Sequence, residues 1–248
     1  MLQRILRLIT PASEERIEIQ YLDHVYPVVI RRSAQAKRYT LRVKTATREA
    51  VITMPSRGSM ATAKDFALRH GGWLAARFHK MPELVGFTPG AFIPLRGVPH
   101  QLEHKPNARG TAWQDVNAAG EPTIAVAGEA SFIARRVRDF LKREARKDIE
   151  LAARKHADAL DVKIKRISIK DTTSRWGSCA SDGTLSFSWR MILAPPFVLD
   201  YLAAHEVAHR VEMNHSTRYW KVVESIFPDY ERAEVWLKRY GAELHRWG

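Results

Sequence analysis

The sequence has only one cysteine, Cys179, in 248 residues. A single cysteine excludes an intrachain disulfide framework and is typical of proteins that fold in a reducing compartment. No stretch approaches the roughly 18 consecutive apolar residues that a membrane-spanning helix needs. The N-terminal apolar run is short and interrupted by Arg4 and Arg7, and no cleavage signal follows it. We therefore expect a cytoplasmic protein without a membrane segment.

Acidic residues are also scarce, since 27 Asp and Glu face 40 Lys and Arg and leave a formal net charge of +13. Two stretches concentrate the excess: Arg31, Arg32, Lys37, Arg38, Arg42, Lys44 and Arg48 in one, and Arg135, Arg136, Arg138, Lys142, Arg143, Arg146 and Lys147 in the other. Such patches can bind nucleic acid, an anionic surface or acidic protein. No helix-turn-helix, zinc-ribbon or RNP-like pattern accompanies them. We favour solvated faces, and nucleic acid stays an open alternative as a partner.

Repeats and low-complexity tracts are absent as well, so hydrophobic periodicity is the main guide to organisation. The first half is dominated by short alternating runs, which predict strands at 39–44 and 50–55, a helix at 59–80 and a hairpin at 92–102. The second half has a long amphipathic pattern at 129–160, strands at 162–170 and 185–190, and further helices. We predict an α+β protein with a β-rich N-terminal domain, residues 1–128, packed against a second domain, residues 129–248.

One segment combines residue types and spacing that specify chemistry: His205-Glu206-Val207-Ala208-His209, followed by His215. Positions i and i+4 of a helix share a face, so His205 and His209 can direct two imidazoles at one point. Beyond a turn, His215 can complete a three-histidine metal site that keeps a fourth position for water. Glu206 can take a proton from that water as general base. The pattern predicts a zinc-dependent hydrolase, most often a peptidase.

The sequence around the motif is typical of helices. Pro195 and Pro196 suit a helix start, and apolar residues recur at helical spacing up to the motif. Met213-Asn214 predicts the end of this helix, and Ser216 can cap the next one.

Several segments together resemble the YgjP-like metal-dependent hydrolases, relatives of the SprT-like and WLM metallopeptidases. These segments are His205-Glu206-Val207-Ala208-His209, Asn214-His215-Ser216, Tyr219-Trp220, Thr173-Ser174-Arg175-Trp176-Gly177-Ser178-Cys179, Leu185-Ser186-Phe187-Ser188-Trp189-Arg190, Leu193-Ala194-Pro195-Pro196, and Arg31-Arg32-Ser33-Ala34 with Arg38. The resemblance implies a zincin-like catalytic domain of minimal gluzincin type. It implies zinc on His205, His209 and His215, with Glu206 as general base. It does not define the substrate.

Three functions remain open. The favoured one is a zinc metallopeptidase that acts on a peptide or protein. The second is a metal-dependent hydrolase of a non-peptide substrate such as a nucleotide phosphoanhydride, although no phosphate-binding loop is present. The third is a nucleic-acid-associated protein, either a SprT-like protease or a binding module with a structural metal. Glu206 argues against a structural metal, and three neutral imidazoles suit Zn²⁺ although Co²⁺, Mn²⁺ or Ni²⁺ could bind.

Other roles near the motif stay undecided from the sequence. Arg175 and Trp176 could contact substrate, or they could belong to a tight turn around Gly177 in which Trp176 fills the core. Cys179 has no neighbouring base to activate it as a nucleophile and is a weak candidate as a zinc ligand. A strand at 162–170 or 185–190 could pair with an extended substrate. The oligomeric state cannot be read from the sequence.

Overall fold

The structure is a computed structural model that describes residues 15–44, 48–81, 83–172 and 174–248. The N-terminal prediction at residues 1–14 and Thr173 of the upstream signature lie outside the described residues. The chain divides into two compact units, Met1–Met81 and Pro82–Gly248.

The first unit is a four-stranded sheet with two helices. Its elements are β1 (Glu15–Tyr21), β2 (His24–Ser33), β3 (Thr40–Lys44), β4 (Glu49–Pro55), α1 (Met60–Arg69) and α2 (Gly71–His79). The sheet order is β1-β2-β4-β3, with β2 and β4 parallel and the other pairs antiparallel. Its core contains Ile19, Val28, Ile52 and Leu74.

The helix predicted at residues 59–80 is two helices in the structure. His70 separates them with non-helical backbone angles, φ −102° and ψ 14°. At Gly71 a Cβ atom would lie 2.3 Å from Cδ2 of Tyr21, so α2 begins where the backbone approaches β1 closely.

The second unit begins with a four-stranded sheet and a long helix. Its first elements are β5 (Phe92–Leu95), β6 (Val98–Lys105), β7 (Ala112–Val116), β8 (Pro122–Ala127), a 3-10 turn (Ala130–Phe132) and α3 (Ile133–Ala159). The sheet order is β5-β6-β8-β7. The helix is amphipathic, since Val137, Leu141 and Ile149 are buried and cations cover much of its other side.

A second sheet and three helices complete this unit. They are β9 (Arg166–Lys170), β10 (Gly177–Cys179), β11 (Thr184–Ser188), a 3-10 segment (Trp189–Leu193), α4 (Pro196–Ala208), α5 (Thr217–Ile226), α6 (Tyr230–Tyr240) and a final 3-10 segment (Gly241–His245). The sheet order is β10-β11-β9. The mixed α+β prediction is confirmed.

The domain boundary predicted between residues 128 and 129 falls inside the second unit. Ile93 and Ile124 of the β5–β8 sheet lie in the same core as Val137 and Leu141 of α3. Because that sheet buries its apolar face against α3, its strands belong with the second unit. The prediction that the N-terminal domain packs against the second domain stays a prediction.

A tight turn supports the start of α4. Arg96 and Gly97 connect β5 to β6, and their amides donate to the carbonyls of Ile192 and Leu193 at 2.7 and 3.2 Å. Gly97 has φ +77°, and a Cβ atom there would lie 3.1 Å from Cα of Pro195. Glycine is therefore required both by the backbone conformation and by the close approach to the helix start.

Within the described residues, none of the helices combines the length and apolar character that crossing a bilayer requires.

Candidate metal centre

Helix α4 carries two of the predicted metal ligands. Its residues are apolar on most sides and buried, which fixes the helix rigidly in the core of the unit. His205 lies in its last turn, and His209, four positions further along the chain, is its C-cap. The imidazole ring centroids of His205 and His209 are 5.3 Å apart.

The prediction that this helix continues to Met213-Asn214 is wrong. Regular α-helix ends at Ala208, and the amides of Val211 and Glu212 both donate to the Ala208 carbonyl at 3.0 Å. The side chain of His209 is hydrogen-bonded through Nδ1 to the Glu212 carbonyl at 3.1 Å. This contact stabilises the early turn, after which the chain reverses direction toward the histidines.

The returning chain brings His215 to the other two histidines. Ser216 begins the next helix, and its hydroxyl accepts from the Tyr219 amide at 3.3 Å, as predicted for a cap. Nε2 of His215 lies 3.2 Å from Nε2 of His205. One ligand atom from each of the three histidines falls within 4.8 Å of the others.

One pair of these donors has the spacing that a tetrahedral zinc ion would require. Zinc–nitrogen bonds of about 2.0–2.1 Å at tetrahedral angles hold ligand nitrogens about 3.3 Å apart. The 3.2 Å separation of His205 and His215 is close to that value. In the tautomer that leaves Nε2 of His209 free for a metal, Nδ1–H donates to the Glu212 carbonyl, which orients the ring.

Two tyrosines support the histidines, and sequence reasoning assigned neither of them this role. Tyr201 Oη lies 3.3 Å from Nδ1 of His205 and can accept a hydrogen bond from Nδ1–H when Nε2 binds a metal. Tyr219 is fully buried, and its hydroxyl donates to the His205 carbonyl at 2.9 Å. The i, i+4 spacing of Tyr201 and His205 on the predicted helix is the signal that could have identified the first contact.

Tyr219 also packs against all three imidazoles. Its ring stacks on His209 with centroids 4.5 Å apart, and it meets His205 and His215 edge-on at 5.3 and 4.7 Å. Burial raises the pKa of Tyr219 above its ordinary value. Because its hydroxyl already donates to a backbone carbonyl, Tyr219 holds the histidines in position and is not free to stabilise an oxyanion.

Burial favours the neutral form of His205 and His209. Burial, together with the neighbouring His209 and His215, lowers the pKa of His205 to about 3. Burial also lowers the pKa of His209. Neutral imidazoles are the form that binds metals, so the site needs little deprotonation before a cation binds at neutral pH.

Glu206 lies next to the histidines in sequence and is 4% exposed. Burial raises its pKa to about 8, and the positive charge of Arg175 acts in the opposite direction. Its carboxyl group lies against β10, where a Cβ atom on Gly177 would be 2.3 Å from Glu206 Oε1. The missing side chain of Gly177 therefore provides the space that the carboxyl group occupies.

The three undecided residues near the motif have different surroundings. Trp176 is half-buried and packs against the edge of the core, and its ring stacks on His245 with centroids 4.7 Å apart. Arg175 is exposed. Cys179 donates to the Ala180 carbonyl at 3.5 Å, and burial raises the pKa of its thiol, which disfavours the nucleophilic thiolate. In the described part of the chain, the cluster that includes the motif and could hold a metal ion consists of the histidines alone.

Comparison with known proteins identifies the family of this chain. Residues 37–240 match the YgjP-like metallopeptidase domain family. No curated protein matches the chain. The solved structure of the metallopeptidase zymogen of Pyrococcus abyssi abylysin is 24% identical over 40% of this chain and 96% of that chain, with a TM-score of 0.35. Because the family match spans most of the sequence, the chain belongs to the YgjP-like metallopeptidases and is a metal-dependent hydrolytic enzyme.

Proposed function

We propose that this protein is a zinc-dependent metallopeptidase that hydrolyses peptide bonds in a peptide or protein substrate. Zinc would be held by His205, His209 and His215, and Glu206 would act as general base. The observation that carries the proposal is the convergence of three imidazoles beside one buried carboxyl group. Membership of a metallopeptidase family supports the choice of a peptide substrate.

Zinc bound by these histidines would acidify a water molecule and polarise the carbonyl of the scissile bond. Glu206 would accept the proton of the attacking water and then donate it to the leaving amine. A cation beside Glu206 favours its ionised form and so opposes the effect of burial. The positive charge of Arg175 also favours the ionised form of Glu206.

The strand that would align the substrate is β10, which differs from both predicted candidates. β11 pairs with β10 on one side and β9 on the other, so it has no free edge. β9 is the far edge of the sheet, whereas Gly177 of β10 adjoins Glu206. A three-residue strand has too little periodicity to be recognised in the sequence, and for that reason it was missed.

The hydrogen-bond pattern of β10 leaves donors and acceptors for a substrate. The Trp176 carbonyl accepts a hydrogen bond from the Ser188 amide at 2.8 Å, and the Ala180 amide donates to the Thr184 carbonyl at 2.9 Å. Every second residue, counted from Trp176, therefore directs its backbone groups toward β11. Gly177 and Cys179 therefore direct their amide and carbonyl groups toward the open edge. An extended peptide could pair with those groups and present a carbonyl to the metal.

The test of the catalytic assignment is Glu206→Gln, which keeps the shape of the side chain and removes its basicity. Peptide hydrolysis should fall by at least about 100-fold while bound zinc and the circular dichroism spectrum stay unchanged. His209→Ala is the matched control and should lose the metal. Full turnover by Glu206→Gln, or loss of zinc from it, would contradict the assignment.

The test of the substrate strand is Cys179→Pro, which removes one outward amide and leaves the bonds to β11 intact. We expect weaker peptide binding with zinc retained, and Cys179→Ala controls for loss of the thiol. Unchanged KM in the proline variant would exclude pairing at this edge.

A further inference from the structure

A small polar pocket opens on the β10-β11-β9 sheet, next to β10. Its volume is about 190 Å³, and it is lined by Lys170, Thr172, Arg175, Gly177, Ser178 and Ser186. Pockets that enclose whole small-molecule ligands usually measure about 300–1,000 Å³. This pocket is therefore suited to one side chain or terminal group of a larger substrate.

The pocket has two positive charges without ion-pair partners in the described part of the chain, those of Lys170 and Arg175. The nearest acid along the chain, Asp171, is occupied by buried Arg190, whose Nε lies 2.8 Å from its carboxylate. Thr172 Oγ1 donates to the Arg175 carbonyl at 2.8 Å, which closes the turn that carries Arg175. A fixed turn thus presents the positive charge of Arg175 to the pocket.

Hydroxyl groups complete the lining. Ser178 of β10 lies directly opposite Ser186 of β11, so their side chains share one face of the sheet. Ser186 is in turn opposite Ser168 of β9, and Lys170 follows two residues later on that same face. Two cations and two hydroxyls around a small pocket form a binding site for an anion.

The position of the pocket relates it to the proposed substrate strand. Gly177 faces Glu206, and the next residue, Ser178, faces the opposite side of the sheet. A peptide paired with β10 would alternate its side chains in the same way, and those on the Ser178 side would reach the pocket. The anion site would therefore contact the substrate close to the scissile bond.

We propose that this pocket is a specificity subsite for an anionic side chain of the substrate, either a carboxylate or a phosphate monoester. Lys170 and Arg175 supply the charge, and Ser178 with Ser186 supplies hydroxyl donors. The inference rests on the proposed peptidase function and adds the substrate chemistry that this site selects.

The experiment uses the full chain with zinc and peptides that are identical except at one position near the scissile bond. That position carries Glu, Gln, phosphoserine or serine. The same four residues are then tested at each other position near the scissile bond, one position at a time. At one position an anionic residue should raise kcat/KM about tenfold, the low end for charge-assisted hydrogen bonds because both cations are exposed. Whether Glu or phosphoserine gains more identifies the source of the anion.

Lys170→Gln and Arg175→Gln should each abolish this preference, mainly through a higher KM for the anionic peptides. Arg166→Gln removes the same charge from an exposed site elsewhere on β9 and should change nothing. Equal cleavage of charged and neutral peptides by the wild type would overturn the subsite but leave the peptidase function standing. An equal fall in kcat/KM for all peptides in Arg175→Gln would show that Arg175 acts on the ionisation of Glu206, and it would overturn the role of Arg175 in the subsite. Failure to cleave any peptide would contradict the proposed function itself.

Discussion

Gly177→Ala should separate catalysis from metal binding. A Cβ atom at this position would lie 2.3 Å from Oε1 of Glu206 and 2.7 Å from both its Cδ and Cγ. Carbon atoms in ordinary contact are about 3.5–4.0 Å apart, so the Glu206 side chain must move by roughly 1 Å. Gly177 is not in a left-handed conformation, and the added methyl group therefore acts by this contact alone.

The magnitude follows from what has to move. The displaced atoms belong to a flexible side chain, so we expect a loss of only about 1 kcal/mol in the free energy of unfolding. A general base contributes about 10²–10⁴-fold, and a misplacement of 1 Å is enough to lose about 10²-fold. We therefore predict a fall of about 100-fold in kcat with zinc content unchanged, because the three atoms nearest to the added methyl group all belong to Glu206.

The assay compares kcat, zinc content and urea denaturation for the wild type, Gly177→Ala and Gly86→Ala. Gly86 is an exposed glycine where a Cβ atom would meet only Thr88, at 3.8 Å, and its variant should behave like the wild type. If Gly177→Ala retained kcat within about threefold, Glu206 would not act from the position seen in the structure. Loss of zinc in this variant would show that β10 shapes the metal site as well.

Three further predictions concern zinc affinity, packing of the core and the pH dependence of stability. Tyr201→Phe removes the partner of a histidine nitrogen and should weaken zinc affinity about 10–100-fold in competition with a chelator; unchanged affinity would refute the contact. Leu141→Ala, at a fully buried position of α3, should lower the free energy of unfolding by about 2–5 kcal/mol, whereas Leu151→Ala, 74% exposed on the same helix, should stay within about 0.5 kcal/mol. Burial is the largest single influence on the pKa of Asp171 and raises it, but the hydrogen bond from Arg190, the positive charge of Arg190 and smaller contributions from Trp189 and Lys142 together outweigh burial, so the pKa lies below the ordinary value. Its contribution to stability is therefore complete above the unfolded pKa of about 3.9 and lost as the pH falls through the lower folded value. Asp171→Asn should show a flatter loss of stability on acidification, and an identical pH profile would contradict this.

The sequence was most informative where chemistry depends on local spacing. The separation of His205 and His209 by one helical turn, and the cap at Ser216, are properties of short segments, and the structure brings these histidines and His215 together. The apolar periodicity of α3 likewise belongs to one helix and needs no knowledge of distant contacts.

Features that depend on contacts between distant segments could not be predicted. The unit boundary after Met81 results from packing of the β5–β8 sheet on α3, which periodicity does not reveal. The early end of α4 depends on a side chain bonding to the Glu212 carbonyl, and backbone acceptors leave no trace in the sequence. The space that Gly177 leaves for Glu206 lies between residues 29 positions apart. The partners suggested by the basic stretches and the cytoplasmic location stay predictions.

The central claim is a zinc centre held by three histidines, and metal analysis by mass spectrometry tests it most directly. The wild type and His215→Ala would be purified without a tag and without added metal, with circular dichroism to verify folding. We predict about one zinc ion per chain in the wild type and much less in a folded His215→Ala variant. A wild type that binds no zinc even when zinc is supplied, or a His215→Ala variant that retains it fully, would contradict the account.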